Sequence, residues 1–397
     1  MERRRKIIPK MLNKKVKNIS VFDTGKLQSE VIDFLRFPLT IGVVLIHNSD
    51  PTVRLAADRI GNDTWPPLFT FCSDLFSQTL ASLSVPTFFF ISGFLFFLHC
   101  EKFDTGSYLK KLKNRIRTLL VPYLFWNILS LSVFFIAYHT PVFFPFFGKT
   151  YHFTWQYVLQ SLWALPSEQE GVMNYPCAGQ FWFIRDLMVM VTFSPILYYF
   201  VKKFGIGCVI LLGLLWFAEW WQVWLPWLAG HGLSITAMFF FTSGAWFAIN
   251  DRNIVNDAGR VASVVFILYP LLVFADLLTK QHIPDQSTGY LPVIHNSGIL
   301  VGMAVCFALA AQLLKTGKMR RHAFLASASF FIFAAHKPLF LNAARKAVFV
   351  IFQPQSDVAL TINFFLLMIT VATTLLGAYW LLQRAVPKFT RVITGGR

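Results

Sequence analysis

Three ionisable side chains of different chemistry, Asp33, Arg36 and His47, lie in one otherwise apolar stretch, VIDFLRFPLTIGVVLIHN. At about 100° per residue on a helix, they and Thr40 fall within about 60° of one another, so they share one face. Asp33 and Arg36 are one turn apart and can pair, which lowers the cost of burying either charge. Histidine gains and loses a proton near neutral pH, so this stripe suits acid–base chemistry.

A polar stripe of this kind either packs helices together or carries out a function. A single buried histidine is equally compatible with both readings, whereas an acid, an arginine and a histidine on one stripe favour function. Arg36 and His47 are eleven residues apart, which is about 16 Å along a helix.

Two further apolar runs carry polar groups. Ser92 precedes Gly93 in VPTFFFISGFLFF, where close helix packing through small residues is the commoner use. Trp182 and Arg185 occur in FWFIRDL, near the outer end of its run. There, an ion pair between Arg185 and Asp186 with an interfacial tryptophan is as compatible with the pattern as a role at a site.

A second histidine and a basic run complete the candidates. His336 lies in SFFIFAAHKP, late in the chain, and a second buried histidine strengthens the functional reading. Arg115 and Arg117 lie in KKLKNRIRTLLVPY. Such charges usually face lipid headgroups, but these two are also well placed to bind a phosphate.

The composition indicates which elements position these residues. Hydrophobic residues make up 55% of the 397 residues and charged residues 14%, whereas soluble domains carry about 25% charged residues. Lipid must therefore be the main solvent. Runs of about 20 apolar residues cross a bilayer, and such runs predict an all-α membrane protein, a bundle of about ten transmembrane helices. They lie near 31–50, 78–99, 119–138, 181–200, 206–224, 232–249, 261–279, 296–314, 324–341 and 358–383.

The distribution of charge predicts the orientation. With a cytoplasmic N-terminus, the inside segments hold 27 of the 36 Lys and Arg residues, the outside segments 6 and the spans 3. This excess predicts that both termini are cytoplasmic. The net charge of +17 sits in short stretches between apolar runs, which favours a membrane surface over nucleic acid as the partner.

The chain divides into a basic tail (1–26), a transmembrane domain (27–385) and a short cytoplasmic tail (386–397). The first tail is either bound to anionic lipid or disordered, and it is not a secretory signal, because the following run continues into a full span. Glu219 and a tryptophan cluster from Trp216 to Trp227 mark the end of the fifth span. The five cysteines show no metal-ligand spacing, and Cys72 and Cys177 form either a disulfide or two free thiols.

Together these motifs resemble the acyltransferase-3 family of bacterial integral membrane O-acyltransferases, which modify cell-surface glycans. The resemblance covers about 27–385. It rests on Asp33, Arg36 and His47 at their spacing, on VPTFFFISGF, on the basic stretch into LLVPY, on FWFIRDL and on SFFIFAAHKP. The family often has R-x-x-R before the third span, whereas here Arg115 and Arg117 are separated by one residue.

The resemblance implies transfer of an acyl group, usually acetyl from acetyl-CoA as co-substrate, to a saccharide or lipid-linked glycan at the bacterial cytoplasmic (inner) membrane. His47 is then expected to be the base that deprotonates a sugar hydroxyl, or a transient acyl carrier. Arg36, supported by Asp33, would bind CoA. Arg115 and Arg117 would assist it, and Ser92 would donate to the oxyanion. Trp182, Arg185 and His336 would face the acceptor, and no metal is expected.

Two other functions fit ten spans with an ionisable stripe. One is a secondary transporter with Asp33, Arg36 and His47 as a proton or anion relay, although the paired broken helices typical of transporters are not evident. The other is a structural component of a polysaccharide export complex. Binding of acyl-CoA from the cytoplasmic face discriminates the acyltransferase from a proton-coupled carrier.

Overall fold

A computed structural model describes residues 8–48, 67–100, 103–140, 153–165, 174–218, 228, 230–282 and 290–396. Helices form nearly all of the regular structure in these ranges. The sheet-like contact within them is an isolated antiparallel bridge between Leu165 and Tyr175. The predicted all-α class is confirmed. Glu219 and residues 220–227, predicted to close the fifth span, lie outside the described residues.

Helices occur at all ten predicted positions, whereas ten crossings and cytoplasmic termini stay predictions. In chain order the helices are α1 (Ile8–Ile46), α2 (Pro67–Ser73), α3 (Ser84–Phe97), α4 (Thr105–Arg115), α5 (Val121–His139), α6 (Trp155–Ser161), α7 (Trp182–Thr192), α8 (Ser194–Phe204), α9 (Ile206–Phe217), α10 (Ile235–Ile249), α11 (Ile254–His282), α12 (Tyr290–Lys315), α13 (Ala323–Ala335), α14 (Leu341–Phe352), α15 (Asp357–Ala385) and α16 (Pro387–Ile393).

Several of these helices are long and apolar enough to cross a membrane, as expected for a multi-pass membrane protein. The described residues contain five candidate membrane spans. A sixth is present if α7 and α8, which meet at a 65° bend, form one broken span. Pro195 at the start of α8 explains the bend, because proline has no N–H for the helical hydrogen bond. The five are Leu68–Phe97, Thr105–His139, Ile254–Lys280, Pro292–Lys315 and Asp357–Ala385.

The outer face of α11 is suited to a lipid environment. Val264, Ile267, Leu271 and Phe274 follow one another at spacings of three and four residues, so they lie on one side of the helix. Each is at least 60% exposed in the isolated chain. A continuous apolar face of this size is unfavourable in water and favourable in a hydrocarbon environment.

Helices α3 and α10 pack closely through two glycines. A Cβ atom on Gly93 would lie 2.0 Å from the carbonyl oxygen of Phe241, and one on Gly244 would lie 2.0 Å from that of Phe90. Only glycine permits this approach, so the packing interpretation of the Ser92–Gly93 pair is confirmed for Gly93. Ser92 is half-buried beside it.

A buried carboxylate joins α11 to α12 and to the segment before α3. Asp276 Oδ2 accepts hydrogen bonds from Thr79 and from Lys280, both at 2.7 Å. His295 Nδ1 lies 3.2 Å from the same oxygen. Because lipid cannot solvate a carboxylate, these partners make its burial tolerable and fix the three segments relative to one another.

Candidate functional site

Two histidines from distant parts of the chain meet at helix ends. His47 directly follows α1, and His336 directly follows α13. Their ring centroids lie 5.3 Å apart, with the ring planes inclined by 31°. His336 is fully buried and His47 is partly buried. The structure therefore brings together two residues that the sequence predicts in separate roles, His47 at the chemical centre and His336 on the acceptor side.

Hydrogen bonds to the backbone orient the His336 ring. Its Nδ1 lies 2.7 Å from the carbonyl oxygen of Phe333 and 3.2 Å from that of Ile332. A carbonyl oxygen only accepts, so Nδ1 carries the hydrogen and Nε2 of the neutral ring keeps a lone pair. Nε2 is buried and has no hydrogen-bond partner among the described residues.

The helical path breaks at Lys337, between α13 and α14. Its backbone is extended, with φ −133° and ψ 150°, as expected for a residue that precedes proline in the sequence. The Lys337 Nζ lies 3.5 Å from His47 Nδ1. A lysine ammonium only donates hydrogen bonds, so His47 Nδ1 is the acceptor.

Arg345 on α14 also holds the end of α1. Its Nη2 donates to the carbonyl oxygen of His47 at 3.1 Å, and such carbonyls at a helix C-terminus have no partner within the helix. The predicted site contained neither Lys337 nor Arg345. Lys337 is one of three basic residues inside the predicted spans, and this location was the available signal. Arg345 gave no such signal, because it was assigned to an outside segment.

Gln180 supports the break at Lys337 from a neighbouring 3₁₀ turn, Gly179–Phe181. It is buried, and its Nε2 donates to the carbonyl oxygen of Ala334 at 2.9 Å and to that of Lys337. Asn127 on α5 in turn accepts a hydrogen bond from the Ala178 N–H at 3.0 Å. Gln180 thus anchors the backbone that presents Lys337. The sequence prediction missed it, and its only signal was a polar residue just before FWFIRDL.

Asp33 joins two arginines at the other end of the polar stripe. Its carboxylate lies 3.0 Å from Arg36 Nη1 and 2.8 Å from Arg321 Nη1, so the predicted pairing of Asp33 with Arg36 is confirmed. Buried Thr40 donates its hydroxyl to the Arg36 carbonyl oxygen at 2.9 Å. The Arg36 side chain remains 32% exposed and so accessible. Arg321 was not predicted, because its basic segment indicated only the cytoplasmic side.

Arg115 and Arg117 lie along the helical path from α4 into α5. The Arg115 guanidinium lies 5.8 Å from the centroid of the Phe96 ring, and Lys111 Nζ lies 5.3 Å from it. Arg117 is exposed. The contacts described for Arg115 and for Arg36 involve different residues. Among the described residues, the arginines predicted to bind CoA therefore do not form one cluster of side chains in direct contact.

Trp182 and Arg185 lie at the start of α7, and Arg185 is engaged internally. Trp182 packs against Phe89, with ring centroids 6.1 Å apart. Arg185 is fully buried, and its Nη2 lies 3.0 Å from Asp186 Oδ1, which is the local ion pair considered from the sequence. Arg185 Nη1 also donates to the carbonyl oxygens of Trp163 (3.1 Å), Asn174 (3.0 Å) and Gly230 (2.8 Å). These three hydrogen bonds tie α7 to separate segments of the chain.

The sulfur and metal predictions concern other residues. All five cysteines are free thiols, Cys72 and Cys177 included, so the disulfide alternative is not formed. No three His, Cys, Asp or Glu side chains converge into a metal-binding group within the described ranges.

Comparison with known families matches the acyltransferase domain of the acyltransferase-3 family to residues 30–382. A curated relative, the succinoglycan biosynthesis protein ExoH of Rhizobium meliloti (strain 1021), is 24% identical over 368 residues, which cover 92% of each chain. No solved structure matches. Asp33, Arg36, His47 and His336 all fall within the matched range.

Proposed function

Because the chain belongs to the acyltransferase-3 family, we propose that it transfers an acetyl group from cytoplasmic acetyl-CoA to a hydroxyl of a cell-surface or lipid-linked saccharide. The observation that carries the proposal is the meeting of His47 and His336, 5.3 Å apart. Two imidazoles next to a lysine, in a membrane-embedded bundle, suit proton transfer during acylation better than they suit packing alone.

The chemistry requires an imidazole at the reacting atoms. A sugar hydroxyl is a poor nucleophile, and a positioned imidazole that takes its proton as attack begins typically contributes about 10²–10⁴-fold. His47 would act there as the base or as a transient carrier of the acetyl group. Both roles place His47 in contact with the reacting atoms.

The donor would bind at the Asp33 end of the stripe. Arg36 is partly exposed and is oriented by its ion pair with Asp33, and a guanidinium matches the geometry of the CoA phosphates. Arg115 and Arg117 would supply further positive charge, and Ser92 would donate to the oxyanion. Arg36 lies about 16 Å from His47 along the axis of α1. The phosphates of one CoA molecule, at Arg36, and its thioester, at His47, would therefore lie at different depths in the membrane.

The acceptor would be a polysaccharide or its lipid-linked precursor, at the bacterial cytoplasmic membrane. The similarity to a protein of succinoglycan biosynthesis supports this class. The acceptor would approach from the outer side, near Trp182 and Arg185. Because Arg185 already holds three backbone carbonyls, we expect it to shape that surface through the loops it anchors.

The test is acetyl-CoA binding and hydrolysis by the purified full-length protein in detergent. His47→Ala should abolish turnover, and Arg36→Ala should weaken binding. Matched controls are His139→Ala, an exposed histidine, and Arg260→Ala, whose side chain is 75% exposed; both should behave as wild type. No binding at about 1 mM acetyl-CoA, above typical KM values, would refute the proposal and favour proton-coupled transport.

A further inference from the structure

The hydrogen bonds of the two histidines differ, and this difference assigns their chemical roles. We propose that His336 is the general base, which takes the proton of the acceptor hydroxyl at Nε2, while His47 acts as the proton donor through its Nε2–H. This inference rests on the proposed acyltransferase function, and it assigns to His336 the base role that was considered above for His47. It concerns a residue that the sequence placed only near the acceptor.

The first argument is the proton position on His336. Nδ1 donates to the Phe333 carbonyl oxygen at 2.7 Å, which leaves Nε2 as the basic nitrogen. This atom is buried and has no partner within the described residues. A purely structural histidine in this position would leave a buried acceptor unsatisfied, which costs folding free energy. A substrate hydroxyl would satisfy it.

The second argument is the opposite arrangement at His47. The ammonium of Lys337 lies 3.5 Å from His47 Nδ1 and only donates hydrogen bonds. The neutral His47 ring therefore carries its hydrogen on Nε2. A nitrogen that already holds a hydrogen cannot accept the hydroxyl proton, but it can donate one.

The third argument is distance. With ring centroids 5.3 Å apart, both rings can contact substrates that occupy the same small region. A base and a donor at this spacing can act on the two ends of one acyl transfer, as in other enzymes that use paired groups of opposite protonation.

The step balances without any further reactant. The hydroxyl O–H bond breaks and its proton goes to His336 Nε2, while the oxygen attacks the thioester carbonyl and forms the ester C–O bond. The C–S bond then breaks, and the departing sulfur takes the proton of His47 Nε2 to give the free thiol, while the Lys337 ammonium passes a proton to His47 Nδ1, so that the His47 ring stays neutral. The proton on His336 then passes to His47 Nε2 and the Nδ1 proton returns to Lys337, which restores all three groups.

The test uses His336→Asn in the full-length protein, reconstituted in lipid nanodiscs. Asparagine places an amide N–H near the position of Nδ1, so it can keep the bond to Phe333, but it has no counterpart of Nε2. We expect a thermal unfolding midpoint and acetyl-CoA binding close to wild type, and a loss of transfer of about 10²-fold or more, as for other general bases. Transfer within about twofold of wild type would overturn the inference.

Chemical rescue provides a second measurement that a structural role would not affect. In His336→Ala, substituted imidazoles added at equal free-base concentration should restore transfer, and the rate should rise with the pKa of the imidazole. In His47→Ala, where the added imidazolium replaces a proton donor, the rate compared at equal imidazolium concentration should fall as that pKa rises. A rescue rate in His336→Ala that is independent of pKa, or that falls with it, would overturn the assignment.

These outcomes separate the inference from the proposed function. A wild-type protein that transfers acetyl groups while His336→Asn does so equally well refutes only the role of His336. A wild-type protein that neither binds nor uses acetyl-CoA refutes the proposed function itself.

Discussion

Replacing Lys337 with methionine is expected to lower kcat for acetyl transfer and to leave the KM for acetyl-CoA unchanged. The Lys337 Nζ lies 3.5 Å from His47 Nδ1 and keeps the hydrogen of that ring on Nε2. A hydrogen bond to a charged group contributes about 1.5–3 kcal/mol, and about 1.4 kcal/mol corresponds to a tenfold change in rate. Because 3.5 Å is long for a hydrogen bond, we take the lower value and expect about a tenfold loss.

The assay is steady-state acetyl transfer by the reconstituted protein over a range of acetyl-CoA concentrations. Methionine keeps most of the apolar stem of lysine but has no N–H donor. Lys388→Met, at an exposed position on α16, is the matched control and should retain wild-type kcat. An unchanged kcat in Lys337→Met would refute the reasoning. A raised KM with unchanged kcat would also refute it, because it would place Lys337 in donor binding.

Three further predictions concern how the site is held. Gln180→Ala should lower kcat, because the Lys337 carbonyl loses its buried hydrogen-bond donor, and it should lower the free energy of unfolding by about 1–3 kcal/mol. Gln180→Glu keeps the side-chain volume but loses the amide donor, so it should lower kcat too. Gly93→Leu should reduce the thermal unfolding midpoint in detergent, because even a Cβ would lie 2.0 Å from the Phe241 carbonyl oxygen; overpacking typically costs about 1–3 kcal/mol. Asp276→Ala should cost about 2 kcal/mol, less than for a fully buried pair because its lysine partner is partly exposed. A wild-type midpoint in either of the last two variants, or wild-type kcat in both Gln180 variants, would contradict the corresponding packing or hydrogen-bond argument.

The polar groups within one helix were predictable from local spacing. Asp33 and Arg36 are one turn apart, and the structure pairs them at 3.0 Å. Gly93 was expected to permit close helix packing, and it contacts α10 as anticipated. The geometry of a single helix determines that Asp33 and Arg36 share a face, whereas only the packing of two helices determines that Gly93 meets α10.

The family was also predictable, since short motifs in a fixed order carry it. The matched range, 30–382, nearly coincides with the 27–385 expected from those motifs. Predictions of a role for each arginine were less complete. Arg185 holds three carbonyls of separate segments, and no pattern within FWFIRDL indicates which distant loops it contacts.

The sequence by itself determined the membrane class, the positions of the apolar helices and the polar stripe of α1. These follow from the transfer free energy of successive residues and from the helical repeat, which are local properties. Only the tertiary structure decided that Lys337 reaches His47 across 290 positions and that His336 lies beside it. The relative depth of two helices depends on how their side chains interlock along the whole contact, and no local pattern encodes that register.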